Sequence, residues 1–472
     1  MPVYIINVKW GKEQFRDIEV NTDEEPELFK AQLFALTGVQ PNRQKIMCKG
    51  VALGDTDWGK LPLKNGVTVL LLGTKEELPE TPEVKVKFLE DMNEQELATA
   101  MKLPSGLHNI GNTCYMNATV QCLKTVPELR RALEQFKEPP SGGLSANITI
   151  SLRDLYATMN SGAAISPIML LQTFHLALPR FAEKSNRGDY IQQDANECWT
   201  ELTRMLQENL PSSNNSNAKS VIDQYFGITF DIEMKCTESE LEEPTKSKEN
   251  VLQLSCFIST EVKYLQLGLK SKMHEQISKF SSSMGRDAIY TKNSFISRLP
   301  AYLTIQFVRF NYKSKVAVNA KILKDVKFPI DFDAFELCTP QLQEKLTPMR
   351  LKFKAIEDMK VTAEATQEST ETSSKADKVR VPFSFEDDPG SNNSGYYTLQ
   401  AVLTHQGRSS SSGHYVAWIR DEGETWFKCD DEQVTTVTSN DIINLSGGGD
   451  WHCAYVLLYG PRILEESQTK AE

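Results

Sequence analysis

Long hydrophobic runs are missing from this 472-residue sequence. No stretch approaches the roughly 18 consecutive apolar residues that a membrane-spanning helix needs. The first ten residues also lack a basic segment followed by an apolar one, which is the pattern of a secretory leader. We therefore expect no transmembrane segment and a location in the cytoplasm, with the nucleus as a further compartment.

An excess of positive charge is missing as well. Lys and Arg number 52 against 63 Asp and Glu, which gives a formal net charge of −11. A protein that binds a nucleic-acid backbone needs a basic face to neutralise the phosphates. The balance therefore predicts no nucleic-acid partner and favours a protein partner that carries a basic patch.

Paired cysteines are the third absence. The nine cysteines are scattered singly, and no Cys-x-x-Cys motif occurs. This spacing argues against a secreted disulfide framework and against the usual structural zinc site. We expect no metal and no cofactor, with one cysteine as a candidate catalytic thiol and the others as small core residues.

The first 75 residues have the pattern of a small α+β domain. Alternating strand patterns flank a turn at Gly11, and a helical run begins at Pro26 and ends before Gly38. Two further apolar stretches, 44–48 and 67–72, indicate buried strands. The block resembles ubiquitin in strand order and in the segments 36–41 and 43–50, but it continues past Gly73 without a terminal Gly-Gly. The resemblance implies a recognition domain, residues 1–75, that cannot be conjugated.

Changes in composition along the rest of the chain predict the remaining domain boundaries. Residues 76–102 are charged and poor in large apolar groups, which predicts an acidic linker. A large globular domain is expected over 103–461, followed by a flexible tail over 462–472. Three polar segments of the large domain are expected to be loops: Pro211 to Lys219, Glu238 to Asn250, and Val361 to Lys378.

A candidate nucleophile follows a glycine-bearing loop. The segment from Gly106 to Leu123 places Cys114 at the expected first turn of an apolar helix. Oriented N–H groups at that position favour a thiolate and can receive an oxyanion. A single cysteine at a helix start is nevertheless more often a small buried residue, so this segment alone leaves both interpretations open.

A candidate base and a candidate acid follow about 300 residues later. The sequence predicts a hairpin whose returning strand begins Gly413-His414-Tyr415, and the next strand leads into Asp430 and Asp431. In that order His414 accepts the thiol proton and Asp430 orients the imidazole. His405 is an alternative base that we interpret as structural, and the paired aspartates are also typical of a simple turn.

Together these segments resemble the ubiquitin-specific proteases, which are papain-like cysteine proteases that cleave after the last glycine of ubiquitin. The resemblance rests on the cysteine segment, on Gln192 to Glu197 and on the histidine segment. It covers the whole chain and extends to a proteasome-associated member of the family. It implies an α+β fold in which a ubiquitin-like β-grasp domain precedes a protease domain of fingers, palm and thumb.

The resemblance also implies a role for each matched position. Cys114 matches the nucleophile, His414 the general base, Asp430 the orienting acid, and Asn109 the side chain of the oxyanion hole. The supporting and substrate-binding positions are Asp431 beside the triad, and Asp194, Gln193, Tyr415 and Tyr455 along the channel for the ubiquitin tail. Cys236 and Cys256 are single where many relatives hold zinc, so the fingers are expected to be metal-free.

Two loops are expected to cover that channel, near Asn311 to Ala320 and at Arg408 to Ser412. We call the second the gating segment; it comprises Arg408, Ser409, Ser410, Ser411 and Ser412. Its serine tip is expected to be mobile and sensitive to added phosphate charge.

The resemblance implies three partners: ubiquitin, polyubiquitinated proteins, and the regulatory particle of the 26S proteasome, which the N-terminal domain would bind. The alternative is a non-catalytic ubiquitin-binding regulator of the proteasome. A redox sensor is less favoured, because no resolving cysteine lies close in sequence.

Overall fold

The computed structural model describes residues 3–54, 57–74, 103–137, 142–159, 162–212, 218–240, 242–313, 318–365, 378–410 and 412–467. The chain divides into two compact units, Met1–Phe88 and Leu89–Glu472. The linker predicted over 76–102 lies outside the described residues. Among those described, no helix is both long enough and apolar enough to cross a bilayer.

The first unit is a mixed sheet with one helix packed against it. Its elements are β1 (Val3–Trp10), β2 (Glu13–Asn21), α1 (Pro26–Thr37), β3 (Lys45–Cys48), β4 (Val51–Ala52) and β5 (Thr68–Leu72). The strand order is β2-β1-β5-β3-β4, with β1 and β5 parallel, which is the β-grasp arrangement expected from the sequence. Gly38 ends α1 in the left-handed region at φ 72°, and its N–H donates to Phe34.

The second unit begins with helices that form the thumb. They are α2 (Cys114–Lys124), α3 (Pro127–Gln135), α4 (Leu144–Thr158), α5 (Ile168–Ala177), α6 (Ala195–Asn209) and α7 (Val221–Phe226). Every residue of α2 from Cys114 to Leu123 is buried. A helix that is buried on all sides belongs to the interior of a domain, so the candidate nucleophile has a rigid support.

The central sheet forms the palm. Its main path runs β19-β18-β17-β16-β20-β11-β8. The strands are β8 (Leu254–Phe257), β11 (Leu303–Val308), β16 (Tyr396–Ser409), β17 (Ser412–Arg420), β18 (Thr425–Asp430), β19 (Gln433–Thr438) and β20 (Cys453–Pro461). Short strands attach to it, namely β12 (Phe310–Lys313), β13 (Val318–Lys321) and β14 (Asp331–Asp333).

The palm separates two cores because successive strand residues face opposite sides. In β17, Tyr415 and Ala417 belong to the core shared with the thumb helices, whereas Val416 and Trp418 belong to the core on the other face. The second core also takes residues from α8 (Leu265–Met273), α9 (Pro340–Ala365) and α10 (Ser439–Ile443). Helix α2 packs on β16, β17 and β18, which brings the cysteine segment to the histidine segment.

The fingers are a separate sheet in the order β7-β6-β10-β9. Its strands are β6 (Ile228–Cys236), β7 (Thr245–Val251), β9 (His274–Ser281) and β10 (Arg286–Arg298). The loop predicted from Glu238 to Asn250 is therefore wrong over its second half. In β7 the residues Thr245 to Asn250 are exposed, and backbone pairing with β6 stabilises an edge strand whose charged side chains stay in water.

Two other polar segments are also more ordered than predicted. Helix α9 continues to Ala365, into the loop expected from Val361, while residues 366–377 lie outside the described residues. In the tail expected to be flexible, β21 (Glu465–Ser467) pairs with β15 (Lys378–Arg380). Backbone hydrogen bonds and the buried Leu464 stabilise this pairing, which an apolar pattern does not reveal. Of the loop predicted from Pro211, residues 213–217 lie outside the described residues.

Candidate active site

Cys114 is the first residue of α2 and is only 2% exposed. The loop before it turns sharply, with Gly111 at φ 99° and Asn112 at φ 55°, both in the left-handed region. The thiol therefore lies at the N-terminal, positive end of a buried helix, as the sequence predicted.

The imidazole of His414 joins this thiol to a carboxylate. Its Nε2 lies 2.6 Å from Oδ1 of Asp430, across the antiparallel strands β17 and β18. Hydrogen bonds to Asp430 and to the Cys114 thiol raise the pKa of His414 to about 10, although partial burial acts in the opposite direction. The structure thus brings together the three side chains that the sequence assigned to a triad.

Asp430 has a second partner that sequence reasoning missed. The ammonium of Lys428 lies 2.8 Å from Oδ2, the oxygen that does not face His414. The bond with His414 and the contact with Lys428 hold the pKa of the Asp430 carboxyl well below its usual range. Lys428 lies two residues before Asp430 on β18, so both side chains are on the same face of the strand. This spacing could have been recognised from the sequence.

Asp431 holds the loop that precedes Cys114. Its Oδ2 accepts a hydrogen bond from Nδ2 of Asn109, and its Oδ1 accepts one from Nδ2 of Asn117, both at 2.8 Å. Burial raises the pKa of Asp431, and these two amide bonds oppose that effect. The backbone of Asp431 is in the left-handed region at φ 53°. The sequence analysis did not predict a role for Asn117. The sequence feature that could have indicated one is a polar residue one turn after Cys114 in an otherwise apolar helix.

Asn109 is oriented at both ends of its amide. Its Oδ1 accepts from the backbone N–H of Gly111 at 3.0 Å and of Thr113 at 3.2 Å. Its Nδ2 carries two hydrogens, and Asp431 accepts one of them. The other hydrogen can serve an oxyanion that forms beside Cys114.

His405, the alternative base, has other neighbours. Its Nε2 lies 3.2 Å from the carbonyl oxygen of Ser412, and its ring packs against Phe310 and Tyr415. Burial, and then the nearby Lys321, lower the pKa of His405 to about 3. The lowered pKa keeps the His405 ring neutral near pH 7, and its contact with the hairpin backbone agrees with a structural residue.

The aromatic positions predicted for the tail channel meet at one place. The ring centroids of Tyr415 and Tyr455 are 6.3 Å apart, and Phe310 packs edge-on against Tyr455 at 5.1 Å. Phe310 was missed because it lies on a short strand far away in sequence. Gln193 is half-buried, and its amide donates to the Ile191 carbonyl at 3.3 Å.

The carboxylate of Asp194 already accepts hydrogen bonds within the protein. It accepts hydrogen bonds from the backbone N–H groups of Asn196 and Glu197, which makes it the N-cap of α6. The hydroxyl of Tyr455 lies 2.9 Å from one carboxylate oxygen and 2.8 Å from the other. Burial raises the pKa of Asp194 above its ordinary value.

The gating segment is tied to the other expected loop. Ala320 of β13 pairs with Ser409 of β16, and Ser409 pairs with Ser412 across the hairpin. Arg408 donates to Asp450 at 2.8 Å. Ser410 is buried, and Ser411 lies outside the described residues. The two segments expected to cover the channel thus share backbone pairing.

The nine cysteines are free thiols and all are buried. Ligand atoms of His414, Asp430 and Asp431 lie within 4.8 Å of one another, a spacing that a cation could use. Hydrogen bonds and a lysine already occupy these atoms, so their arrangement fits proton transfer. Cys236 and Cys256 lie in different sheets, β6 in the fingers and β8 in the palm.

Comparison with known proteins agrees with this geometry. Residues 105–459 match the family described as ubiquitin carboxyl-terminal hydrolase. The chain is 39% identical to ubiquitin carboxyl-terminal hydrolase 7 of Arabidopsis thaliana, over 97% of this chain and 99% of that protein. It is 41% identical to ubiquitin carboxyl-terminal hydrolase 14 of Caenorhabditis elegans, over 98% of this chain and 94% of that protein.

A fungal relative is equally similar. The chain is 39% identical to ubiquitin carboxyl-terminal hydrolase 6 of Schizosaccharomyces pombe, over 96% of this chain and 98% of that protein. The resemblance found in the sequence is confirmed over nearly the whole chain. The protein therefore belongs to the ubiquitin carboxyl-terminal hydrolase family and is a cysteine-type deubiquitinase.

Proposed function

We propose that this deubiquitinase works at the proteasome, where it removes ubiquitin from bound conjugates by hydrolysing the bond after the last glycine of ubiquitin. Cys114 is the nucleophile, His414 the general base and acid, and Asp430 the group that orients the imidazole. The observation that carries the chemistry is the position of His414, whose Nε2 lies 2.6 Å from Asp430 and whose pKa is raised by Asp430 and then by the Cys114 thiol.

The reaction follows from these contacts. His414 takes the proton of the Cys114 thiol, and the sulfur attacks the glycine carbonyl. The Asn109 amide and the N–H groups at the start of α2 receive the oxyanion. His414 then protonates the lysine amine as it leaves, which gives a thioester. Water, deprotonated by His414, attacks the thioester and releases ubiquitin and the free thiol.

The proteasome assignment rests on the first unit. Along β5, Val69 and Leu71 face α1, whereas Leu70 and Leu72 are 38% and 44% exposed on the outer face of the sheet. Met47 is the cross-strand partner of Leu70 and lies on the same face. An exposed apolar face on a domain that is part of a larger chain supports a docking role. We propose that it docks on the regulatory particle, in the cytoplasm and nucleus.

The chemistry is tested with ubiquitin that carries a C-terminal electrophile. We expect the full chain to form a covalent adduct through Cys114, and Cys114→Ala to form none. Binding of ubiquitin without any adduct in the wild type, free or in the presence of purified proteasome, would instead favour the non-catalytic regulator.

Docking is tested separately by co-sedimentation with purified proteasome. We expect Leu70→Glu combined with Leu72→Glu to abolish co-sedimentation, because a charge on each side chain disrupts an apolar interface. Leu28→Glu is the matched control, since Leu28 is 58% exposed but lies on α1. Loss of binding in the control as well, or in neither variant, would contradict docking through this face.

A further inference from the structure

A cavity of 440 Å³ adjoins the elements that carry the triad, away from the reacting atoms. Helix α2 begins at Cys114 and ends at Lys124, which lines the cavity. The ten residue steps from Cys114 to Lys124 span about 15 Å of helix. Strand β17 likewise carries His414 near its start and ends at Arg420, another lining residue. The cavity is therefore distinct from the channel that leads to Cys114.

Positive charge predominates in the wall of this cavity. Lys124, Arg130 and Arg420 line it, together with a single carboxylate, that of Asp421. The carboxylate closest to Arg130 in sequence, Glu128, pairs instead with Arg131 at 3.1 Å. Three cations against one anion leave a net positive charge in a cleft that is open to solvent, and this charge attracts an anion.

The polar atoms of the wall are incompletely bonded. The ammonium of Lys124 donates to the Met159 carbonyl at 3.0 Å, and burial and then Arg130 lower the pKa of Lys124 to about 8. Arg420 directs Nε and one terminal nitrogen to the Gly423 carbonyl, and its guanidinium lies 5.8 Å from the centroid of the Trp426 ring. Its other terminal nitrogen is buried without a hydrogen-bond partner among the described residues. Gln121 also lines the cavity. Its Oε1 is buried and accepts no hydrogen bond from the residues that the structure describes.

An apolar wall adjoins these groups. Ile419 and Phe427 line the same cavity, and both belong to the core beneath the thumb. The cavity has the size of a small-molecule site and combines an apolar wall with a few convergent polar groups. Guanidinium groups suit the tetrahedral oxygens of a phosphate, since two parallel N–H donors can face two oxygens. Arg130 can bind in this way, whereas Arg420 already bonds to Gly423 and contributes mainly its charge.

We propose that this cavity binds a small organic phosphate, a phosphate monoester on an apolar or aromatic carrier. The phosphate lies among Lys124, Arg130 and Arg420, and the carrier lies against Ile419 and Phe427. Inorganic phosphate can contact only the charged side chains of the cavity. A neutral carrier can contact only its apolar residues. Both parts are therefore needed for the full affinity.

The proposal is tested by calorimetric titration of the full chain. The probes are adenosine 5′-monophosphate and phenyl phosphate, compared with adenosine, phenol and inorganic phosphate. We expect at least one ester to bind more tightly than its neutral carrier and than inorganic phosphate, and added salt to weaken the binding.

Two variants test whether the ester binds in this cavity. We expect Arg130→Gln to weaken the bound ester by about tenfold or more, because it removes a charge-assisted contact. Arg131→Gln removes the same charge one residue along α3, outside the cavity, and should leave the affinity unchanged. Arg130 is exposed, so its loss leaves the core intact, which thermal unfolding checks.

Three results would overturn the proposal. The first is that neither ester binds the wild type more tightly than inorganic phosphate does. The second is equal affinity for an ester and its neutral carrier. The third is an equal loss in Arg130→Gln and Arg131→Gln, which would assign the effect to general charge. None of these readouts requires deubiquitinase activity.

Discussion

Tyr455 donates its hydroxyl to the carboxylate of Asp194, with both oxygens within 2.9 Å. The residue expected to bind the arginines of the ubiquitin tail is therefore already bonded within the free protein. The same carboxylate caps α6. Asp194 thus combines a structural role with the proposed binding role, and a suitable substitution can separate them.

Asp194→Asn is that substitution. Asn caps helices about as well as Asp, so α6 should keep its N-terminus, but the charge that attracts a guanidinium is lost. We expect the KM for ubiquitin with a C-terminal fluorogenic amide to rise by about tenfold, with a small change in kcat.

Asp194→Ala is the comparison, because it also removes the cap. It should give the same rise in KM and lower the free energy of unfolding by a further ~1 kcal/mol. An unchanged KM in Asp194→Asn would show that Asp194 serves only as a cap.

The titration of His414 and Asp430 predicts how stability depends on pH. The pKa of His414 is raised from 6.5 to about 10, so its contribution to stability is complete below pH 6.5 and is lost as the pH rises through 10. The pKa of Asp430 is lowered, so its contribution is present above about pH 4 and is lost on acidification below that.

Asp430→Asn tests this coupling. Removal of the carboxylate should bring the pKa of His414 down toward 6.5, measured by NMR of the ring protons. The loss of stability between pH 6.5 and 10 should shrink in the same variant, measured by urea unfolding. A His414 titration that is identical in the wild type and the variant would refute the coupling.

The order Cys114, His414, Asp430 was readable because each residue lies beside a strong local signal: a glycine loop, a Gly-His-Tyr strand start and a strand end. The edge strand β7 and the tail strand β21 were not readable. Both depend on backbone hydrogen bonds between polar segments, and these bonds leave no apolar period in the sequence.

The residues around the candidate site that the sequence analysis missed fall into two groups. Lys428 was predictable from its spacing to Asp430, and Asn117 from its place in α2. Phe310 and Asp450 could not be predicted, because β12 and the loop before β20 reach the channel only through the topology of the palm sheet.

Lys428 should position the orienting acid. Its ammonium contacts the Asp430 oxygen that faces away from His414, and it lies 5.7 Å from the centroid of the Trp418 ring. We expect Lys428→Met to lower kcat by several-fold with KM nearly unchanged, because the carboxylate loses one of its two anchors and the triad becomes less ordered.

The conservative variant Lys428→Arg keeps the charge and should recover most of the kcat. In Lys428→Met the pKa of His414 should rise further, since a nearby cation no longer opposes the imidazolium. A fall in thermal stability with kcat and the His414 titration both unchanged would assign Lys428 a merely structural role.

Arg309 is fully buried and bonds to backbone carbonyls from three segments. Its guanidinium donates to the carbonyls of Ala454 on β20, of Ile322 and Lys324 after β13, and of Ser446, which precedes the three glycines 447–449. Since the loss of the guanidinium removes four hydrogen bonds to backbone carbonyls at once, we expect Arg309→Met to lower the free energy of unfolding by roughly 3 kcal/mol or more.

Arg309→Lys should recover little of that stability, because an ammonium cannot match the planar spread of the guanidinium donors. Arg131→Met provides the surface control and should cost less than about 0.5 kcal/mol. Hydrogen exchange adds a local readout: in Arg309→Met the amides of Val326 and Gly448, which donate to Ser446 and Leu323, should exchange faster than those of α2. Uniform acceleration across the domain would show that Arg309 stabilises the fold as a whole and not these loops in particular.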